Sequence, residues 1–166
     1  MFVCHGNICR SPMAEIIFRD LVTREGVAEQ FVIASSATST EEIWHGVGNP
    51  VYPPARAELA RHGLSAGDKR AAQLTRADHD NYDMLVVMDD NNIRNARRLL
   101  GGGEDKLVKL MEFVGSTRDV SDPWYTGDFA GVYNDIVEGC DGLYRALNGD
   151  TRALTARARD IITRVK

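Results

Sequence analysis

The chain has 166 residues, with 24 acidic against 20 basic side chains and a net charge of -4. That length fits one domain with a substantial core, since a chain of about 150 residues hides roughly 70% of its unfolded surface. The charge balance excludes a global basic field for nucleic acid or a membrane surface. An odd count of three cysteines, with neither a leader-like stretch nor a long apolar span, argues against a disulfide scaffold and for a cytoplasmic, reducing location.

In chain order, Met1 to Val3 are apolar and feed a short polar loop, CHGNICR, that ends in Ser11-Pro12. Ser11 is expected to cap the following helix and Pro12 to fit its first turn. Ile16, Ile17, Leu21 and Val22 then recur at helical spacing until Gly26. FVIAS (31–35) reads as a second strand, and Pro53-Pro54 introduce an alanine-rich helix with Leu59 that ends at Gly63. DMLVVMD (83–89) reads as a strand buried on both faces, followed by a helix to Leu100. After the break at Gly101 to Gly103, KLVKLM (106–111) offers a fourth strand. Phe129, Val132, Tyr133, Ile136, Val137, Cys140, Leu143, Tyr144 and Leu147 trace one face of a long helix. Strands alternating with helices define an α/β class, here a three-layer α/β/α arrangement with a four-stranded parallel sheet and helices on both faces. In such sheets ligands sit beyond the carboxyl ends of the strands, which is where the loop after Val3 lies. The basic tail 151–166 places Leu154, Ala158, Ile161, Ile162 and Val165 at helical spacing. It reads as a helical extension packed on the same domain, with a membrane-surface or partner helix as the alternative.

The chemistry concentrates in the first loop. It lacks the lysine that a GxxxxGK[ST] nucleotide cradle needs. Cys4 and Arg10 are five residues apart, and a loop of that length can turn successive backbone N–H groups inward while the guanidinium returns over the sulfur. The positive end of the next helix points into the same concavity, so a dianion meets backbone donors, a dipole and a bidentate arginine together. The same field favours the Cys4 thiolate when the site is empty. A nucleophile beneath a phosphate-shaped nest points to attack on phosphorus and a phosphocysteine, with no metal or cofactor needed to neutralise the charge. The four histidines show no metal-ligand spacing.

The full string VCHGNICRSP (3–12) resembles the signature of the low-molecular-weight protein tyrosine phosphatases, Cys-x-Gly-Asn-x-Cys-Arg-Ser-Pro after the first strand. DPWY (122–125) resembles the Asp-Pro-aromatic loop in which that family holds its general acid. SSAT (35–38) and MDDNN (88–92) are similar to its second and third strand ends. The resemblance runs from Val3 to about Leu147, and implies a phosphatase domain over 1–150 with 151–166 as its extension. It implies catalytic roles for Cys4, Arg10 and Asp122, and a phosphate-binding loop of His5, Gly6, Asn7, Ile8, Cys9, Arg10 and Ser11. Ser11 would stabilise the departing thiolate, and Gly6 and Asn7 would accommodate the loop's unusual turn, with Asn suited to a left-handed conformation. Cys9 is implied as a redox partner that protects Cys4 through a reversible disulfide. Three departures stand out. A few residues usually precede the family's first strand, and many relatives end at the long helix. Asp68 or Lys69 stands where a histidine is frequent, which puts the usual support of the loop in question.

A tyrosine-phosphorylated protein is the expected partner, with small phosphate or another oxyanion as ligand, and neither nucleic acid nor membrane. Phosphotyrosine reaches deeper than phosphoserine by about a phenyl ring, so the pocket needs aromatic walls, for which Trp44, Trp124 and Tyr125 are the candidates. Arginine phosphatases resemble this loop but have Thr at the position of Ile8. Thioredoxin-linked arsenate reductases need two further cysteines after the third strand, and 82–100 contains none. A catalytically silent phosphotyrosine-binding module is the remaining alternative, opposed by the intact set Cys4, Arg10, Ser11 and Asp122.

Overall fold

The computed structural model describes residues 1–165. Four short strands, β1 (Phe2–Cys4), β2 (Ser35–Ala37), β5 (Leu85–Val87) and β6 (Leu107–Lys109), form a sheet in the order β2-β1-β5-β6. All its neighbours are parallel. A separate antiparallel hairpin of β3 (Ile43–Trp44) and β4 (Val47–Gly48) lies outside it. The helices are α1 (Arg10–Arg24), α2 (Pro53–Arg61), α3 (Arg76–Asn81), α4 (Asp90–Leu100), the single turn α5 (Pro123–Thr126), α6 (Phe129–Leu147) and α7 (Ala156–Val165). The three-layer α/β/α architecture follows from side-chain alternation along the strands. Phe2, Cys4, Val86 and Val108 join one apolar layer with residues of α1, α2, α6 and α7. Val3, Leu85, Val87 and Leu107 face the other way, onto Leu74, Ala96 and Leu100.

The elements differ from the sequence reading at their edges. The second strand is Ser35–Ala37 rather than 31–35, because Phe2, the first residue of β1, pairs with Ser35. Residues 31–33 therefore run past the end of their neighbour, and Phe31 instead packs edge-on against Phe18, with ring centroids 5.5 Å apart. The fourth strand stops at Lys109, where Leu110–Val114 wind into a 3-10 turn. The β3–β4 hairpin and α3 were not anticipated. His45 and Gly46 both take positive φ, 50° and 77°, the requirement of a two-residue hairpin turn, but His-Gly lacks the Asn-Gly or Asp-Gly signature of such turns. α3 has only six residues and is too short to show a period.

Two helix ends read as expected. Gly101 ends α4 in the left-handed conformation at φ 65°, and α6 spans the whole stretch traced by its apolar face. In α7, Ala158, Ile161 and Ile162 are buried in the same apolar layer as residues of α1 and α6. Among the described residues no helix is long and apolar enough to cross a membrane.

Candidate active site

The loop from Cys4 to Arg10 joins the carboxyl end of β1 to the amino end of α1. Asn7 is its pivot. Its φ of 57° is the left-handed conformation that Asn tolerates better than most residues, and its fully buried side chain secures the turn three ways. Its Nδ2 donates to Ser11 Oγ at 2.7 Å and to Ser35 Oγ at 2.9 Å, and its Oδ1 accepts from the Ala72 N–H at 3.0 Å. The Asn7 backbone N–H points at Cys4 Sγ, 3.3 Å away. Ser11 Oγ lies 3.0 Å from the same sulfur. That oxygen already accepts from Asn7, and its own proton faces Cys4 Sγ and, at 3.4 Å, the Ser36 carbonyl.

Ser11 is therefore not the helix cap that the sequence suggested. Cys9 holds the cap position without a side-chain cap bond, since the serine hydroxyl is engaged by Cys4 and Asn7. Support for the loop continues outward through Ser35, whose hydroxyl donates to Glu15 Oε2 at 2.6 Å. Lys69 donates to the Ser35 carbonyl at 3.0 Å and stands 3.7 Å from Glu15, whereas Asp68 is exposed. The lysine, not the aspartate, completes this network.

Arg10 is buried and held from two sides. Its Nη1 donates to Asp89 Oδ2 at 2.7 Å and to the Val120 carbonyl at 2.8 Å, and its Nη2 lies 3.5 Å from Asp122 Oδ2. Burial opposes the guanidinium charge, but Cys4, Asp89 and Asp122 outweigh it and raise its pKa. The cation is thus permanent and fixed in direction. Asp122 caps α5, its Oδ1 accepting from the Trp124 N–H at 3.1 Å, and Pro123 supplies the first helical residue. This cap leaves Oδ2 directed toward Arg10. Burial and then the neighbouring Cys4 push the Cys9 thiol up to about 12, and burial likewise raises Cys140. The three cysteines are unpaired.

A cavity is lined by Cys4, Gly6, Ile8 and Arg10 of the loop together with Asp122, Trp124 and Tyr125 of the α5 turn. His5 and Cys9 also line it, whereas Asn7 and Ser11 are fully buried and outside the lining. The other loop residues and two of the three aromatic candidates thus converge. Trp44 does not: it sits on β3, is 66% exposed and lies outside the cavity lining. Glu41 and Glu42 also line the cavity, Glu41 paired with His5 Nε2 at 3.0 Å. These two glutamates were not anticipated, nor were the Asp89 and Val120 contacts to Arg10. Tyr52 was also missed; its ring packs against that of Trp124, with centroids 4.9 Å apart. Apart from Asp89, which lies in MDDNN (88–92), no local motif marks such residues, because each reaches the site through chain-distant packing. Among the described residues no group of His, Cys, Asp and Glu is arranged to hold a metal ion.

A parallel α/β sheet with a cysteine and an arginine in one loop, and a carboxylate brought to both from a distant turn, defines the class of cysteine-dependent phosphatases. The family model described as low molecular weight phosphotyrosine protein phosphatase matches residues 1–153. The chain is 37% identical over 150 residues to the low molecular weight protein-tyrosine-phosphatase YfkJ of Bacillus subtilis, covering 89% of this chain and 94% of that protein. It is 38% identical over 147 residues to the low molecular weight phosphotyrosine protein phosphatase of Sus scrofa, covering 84% and 89% respectively. The crystal structure of YfkJ superposes with a TM-score of 0.83 at 34% identity, over 91% of this chain and 94% of that one. A structure of the YwlE arginine phosphatase, with a phosphorylated active-site serine, superposes with a TM-score of 0.79 at 26% identity, over 92% and 97%. The chain belongs to the low-molecular-weight phosphotyrosine protein phosphatase family and is an enzyme, a hydrolase of that family.

Proposed function

We propose that the protein hydrolyses phosphotyrosine on proteins through a phosphocysteine formed at Cys4. The observation that carries this reading is the cavity itself, which Cys4, Arg10 and Asp122 line together with the apolar side chains of Ile8, Trp124 and Tyr125. The phosphoryl dianion sits in the loop, its non-bridging oxygens on the guanidinium and the backbone N–H groups of residues 5–10. The Cys4 thiolate attacks phosphorus as the bond to the phenolic oxygen breaks, and Asp122 gives its proton to that oxygen. Asp122, now a carboxylate, takes a proton from water as the water attacks the phosphocysteine. Phosphate leaves, and the Cys4 thiolate returns to the hydroxyl of Ser11. Cys9, in the same loop, is the partner with which Cys4 forms a reversible disulfide under oxidant. The need for Cys4 as a thiolate, with all three cysteines unpaired, suits a reducing cytoplasm.

One observation favours a second reading. Glu41 and Glu42 line the same cavity, and their carboxylate oxygens not taken by His5 and Asn49 can accept from a guanidino group, the chemistry of phosphoarginine. Against it, Ile8 offers no hydroxyl to the pocket. The test compares kcat/KM for matched phosphotyrosine and phosphoarginine peptides, with Cys4→Ser as the inactive control. Phosphotyrosine is expected to be preferred by more than about tenfold, and Ile8→Thr to narrow that ratio. A preference for phosphoarginine overturns the reading.

A further inference from the structure

Lys109 is buried, 5% exposed, and takes no part in the chemistry above. It is the last residue of β6 and pairs with Val87 of β5. Since the sheet is parallel, its carboxyl edge is also where Cys4 ends β1. From there the Lys109 ammonium reaches Asp90 Oδ1 at 2.9 Å, Asp119 Oδ1 at 2.9 Å, and the Thr117 carbonyl. An ammonium has three donors, and all three are used. Burial opposes its charge, but hydrogen bonds to Asp119 and Asp90 outweigh it and raise its pKa, so the cation persists through the neutral range.

The partners of Lys109 belong to two separate segments, and both of those segments grip Arg10. Asp90 follows Asp89, whose carboxylate accepts from Arg10 Nη1. Asp119 precedes Val120, whose carbonyl accepts from the same nitrogen, and stands three residues before Asp122. The Asp90 N–H adds a bond to Asp119 Oδ1 at 3.3 Å, and the Val120 N–H donates to the Met88 carbonyl at 2.8 Å. We propose that Lys109 is a positioning residue for the reaction: it pins the 115–122 loop to the first turn of α4, and so sets where Asp122 stands relative to Cys4 and Arg10. This rests on the reading of Asp122 as the general acid. A carboxylate displaced by about 1 Å loses much of its value in proton transfer, on the order of ten- to a hundredfold in rate.

The test is kcat/KM across aryl phosphates of graded leaving-group acidity, since that constant reports the step in which the phenol departs. Lys109→Met keeps length and removes the charge. It is expected to lose about tenfold on phenyl phosphate, whose leaving group needs a proton, and no more than about twofold on 2,4-dinitrophenyl phosphate, whose leaving group does not. Lys109→Arg is expected to restore part of the phenyl phosphate rate. Asp122→Asn serves as the reference for loss of the acid, and Ile162→Ala, buried in α7, as the reference for destabilisation alone. Equal losses of Lys109→Met on both esters, with a steep dependence in Asp122→Asn, overturn the inference and leave the acid assignment standing. A flat dependence in Asp122→Asn overturns both. Should Lys109→Met not fold, Asp119→Asn removes the charge from one arm while keeping its shape, and the same ester-selective loss is expected at smaller size; a flat ratio there is equally decisive against the proposal.

Discussion

Arg10 donates on one side to Asp89 and the Val120 carbonyl and is ion-paired on the other with Asp122 at 3.5 Å, so its guanidinium is held in one orientation. A lysine supplies one point charge at one place, so Arg10→Lys is expected to lose at least about a hundredfold in kcat/KM and to weaken inhibition by inorganic phosphate in parallel. Activity within a few-fold of wild type would show that the guanidinium does not ligand the phosphoryl oxygens. The thiols can be ranked in the same way. With Cys9 pushed up to about 12, only about one molecule in 100,000 carries its thiolate at pH 7, and Cys140 is buried as well as raised. Iodoacetate at pH 7 should therefore alkylate Cys4 alone, with inorganic phosphate protecting it. Mass spectrometry of the digested protein reads the outcome, and label on Cys9 at a comparable rate would contradict the assigned electrostatics. Cys4, Asn7, Arg10 and Asp122 were legible in the sequence because each belongs to a short string with its own chemistry. Lys109 and Glu42 were not, since a lone charged residue takes its meaning from what folds against it, and Asp89, though it lies within MDDNN, showed nothing of its contact with Arg10. Trp44 was misleading for the same reason: a lone aromatic residue says nothing of which way its segment turns.

The long helix α6 shows what an apolar pattern reveals and what it conceals. Its buried stripe is visible at helical spacing, whereas the reason for Gly139 and Gly142, a residue type of low helix propensity, is not. Packing against the 3-10 turn 110–114 explains both. A Cβ on Gly139 would lie 2.4 Å from Leu110 Cγ, and one on Gly142 would lie 2.7 Å from the Phe113 carbonyl oxygen and 3.0 Å from its carbon. The helix must come this close because the turn continues β6, which ends in Lys109. Gly142→Ala gains about 1 kcal/mol of helix propensity but overlaps a backbone carbonyl that cannot move aside, a strain of about 2–3 kcal/mol. A net loss of about 1–2 kcal/mol in urea denaturation is expected. A variant more stable than wild type would mean that α6 has room to retreat. The strand boundaries were hidden for a related reason. Whether 31–33 pair depends on where β1 begins, and a strand's own residues do not contain its partner's register.

Across the whole molecule, α7 covers the β6 edge of the sheet. An edge strand presents unpaired backbone groups that need a cover, and Arg157 Nε donates to the Leu107 carbonyl at 2.6 Å. The start of the helix is tied at Thr155, whose N–H donates to the Glu112 carbonyl at 3.1 Å and whose hydroxyl donates to Glu112 Oε1 at 3.0 Å. Glu112 Oε2 accepts from the Lys109 N–H at 2.9 Å, so α7 is joined to the turn that ends β6. Its apolar face is buried rather than offered to a membrane or a partner: Ile161 is 3% and Ile162 1% exposed. If α7 unfolds with the rest, truncating Ile162 must be felt globally. Ile162→Ala removes buried methylene groups and leaves a cavity, and is expected to lower the unfolding free energy by about 2–4 kcal/mol. The denaturant slope should be unchanged, since the same surface is exposed on unfolding. Because the site lies at the carboxyl edge of the sheet and Ile162 touches none of it, kcat/KM on any aryl phosphate should stay within about twofold at temperatures well below the transition. Far-ultraviolet circular dichroism and residual activity, followed through one urea titration, should show a single shared midpoint shifted to lower urea. Separate midpoints, with activity persisting after part of the helical signal is lost, would mean that residues 151–165 form an independently frayed appendage rather than part of the cooperative core.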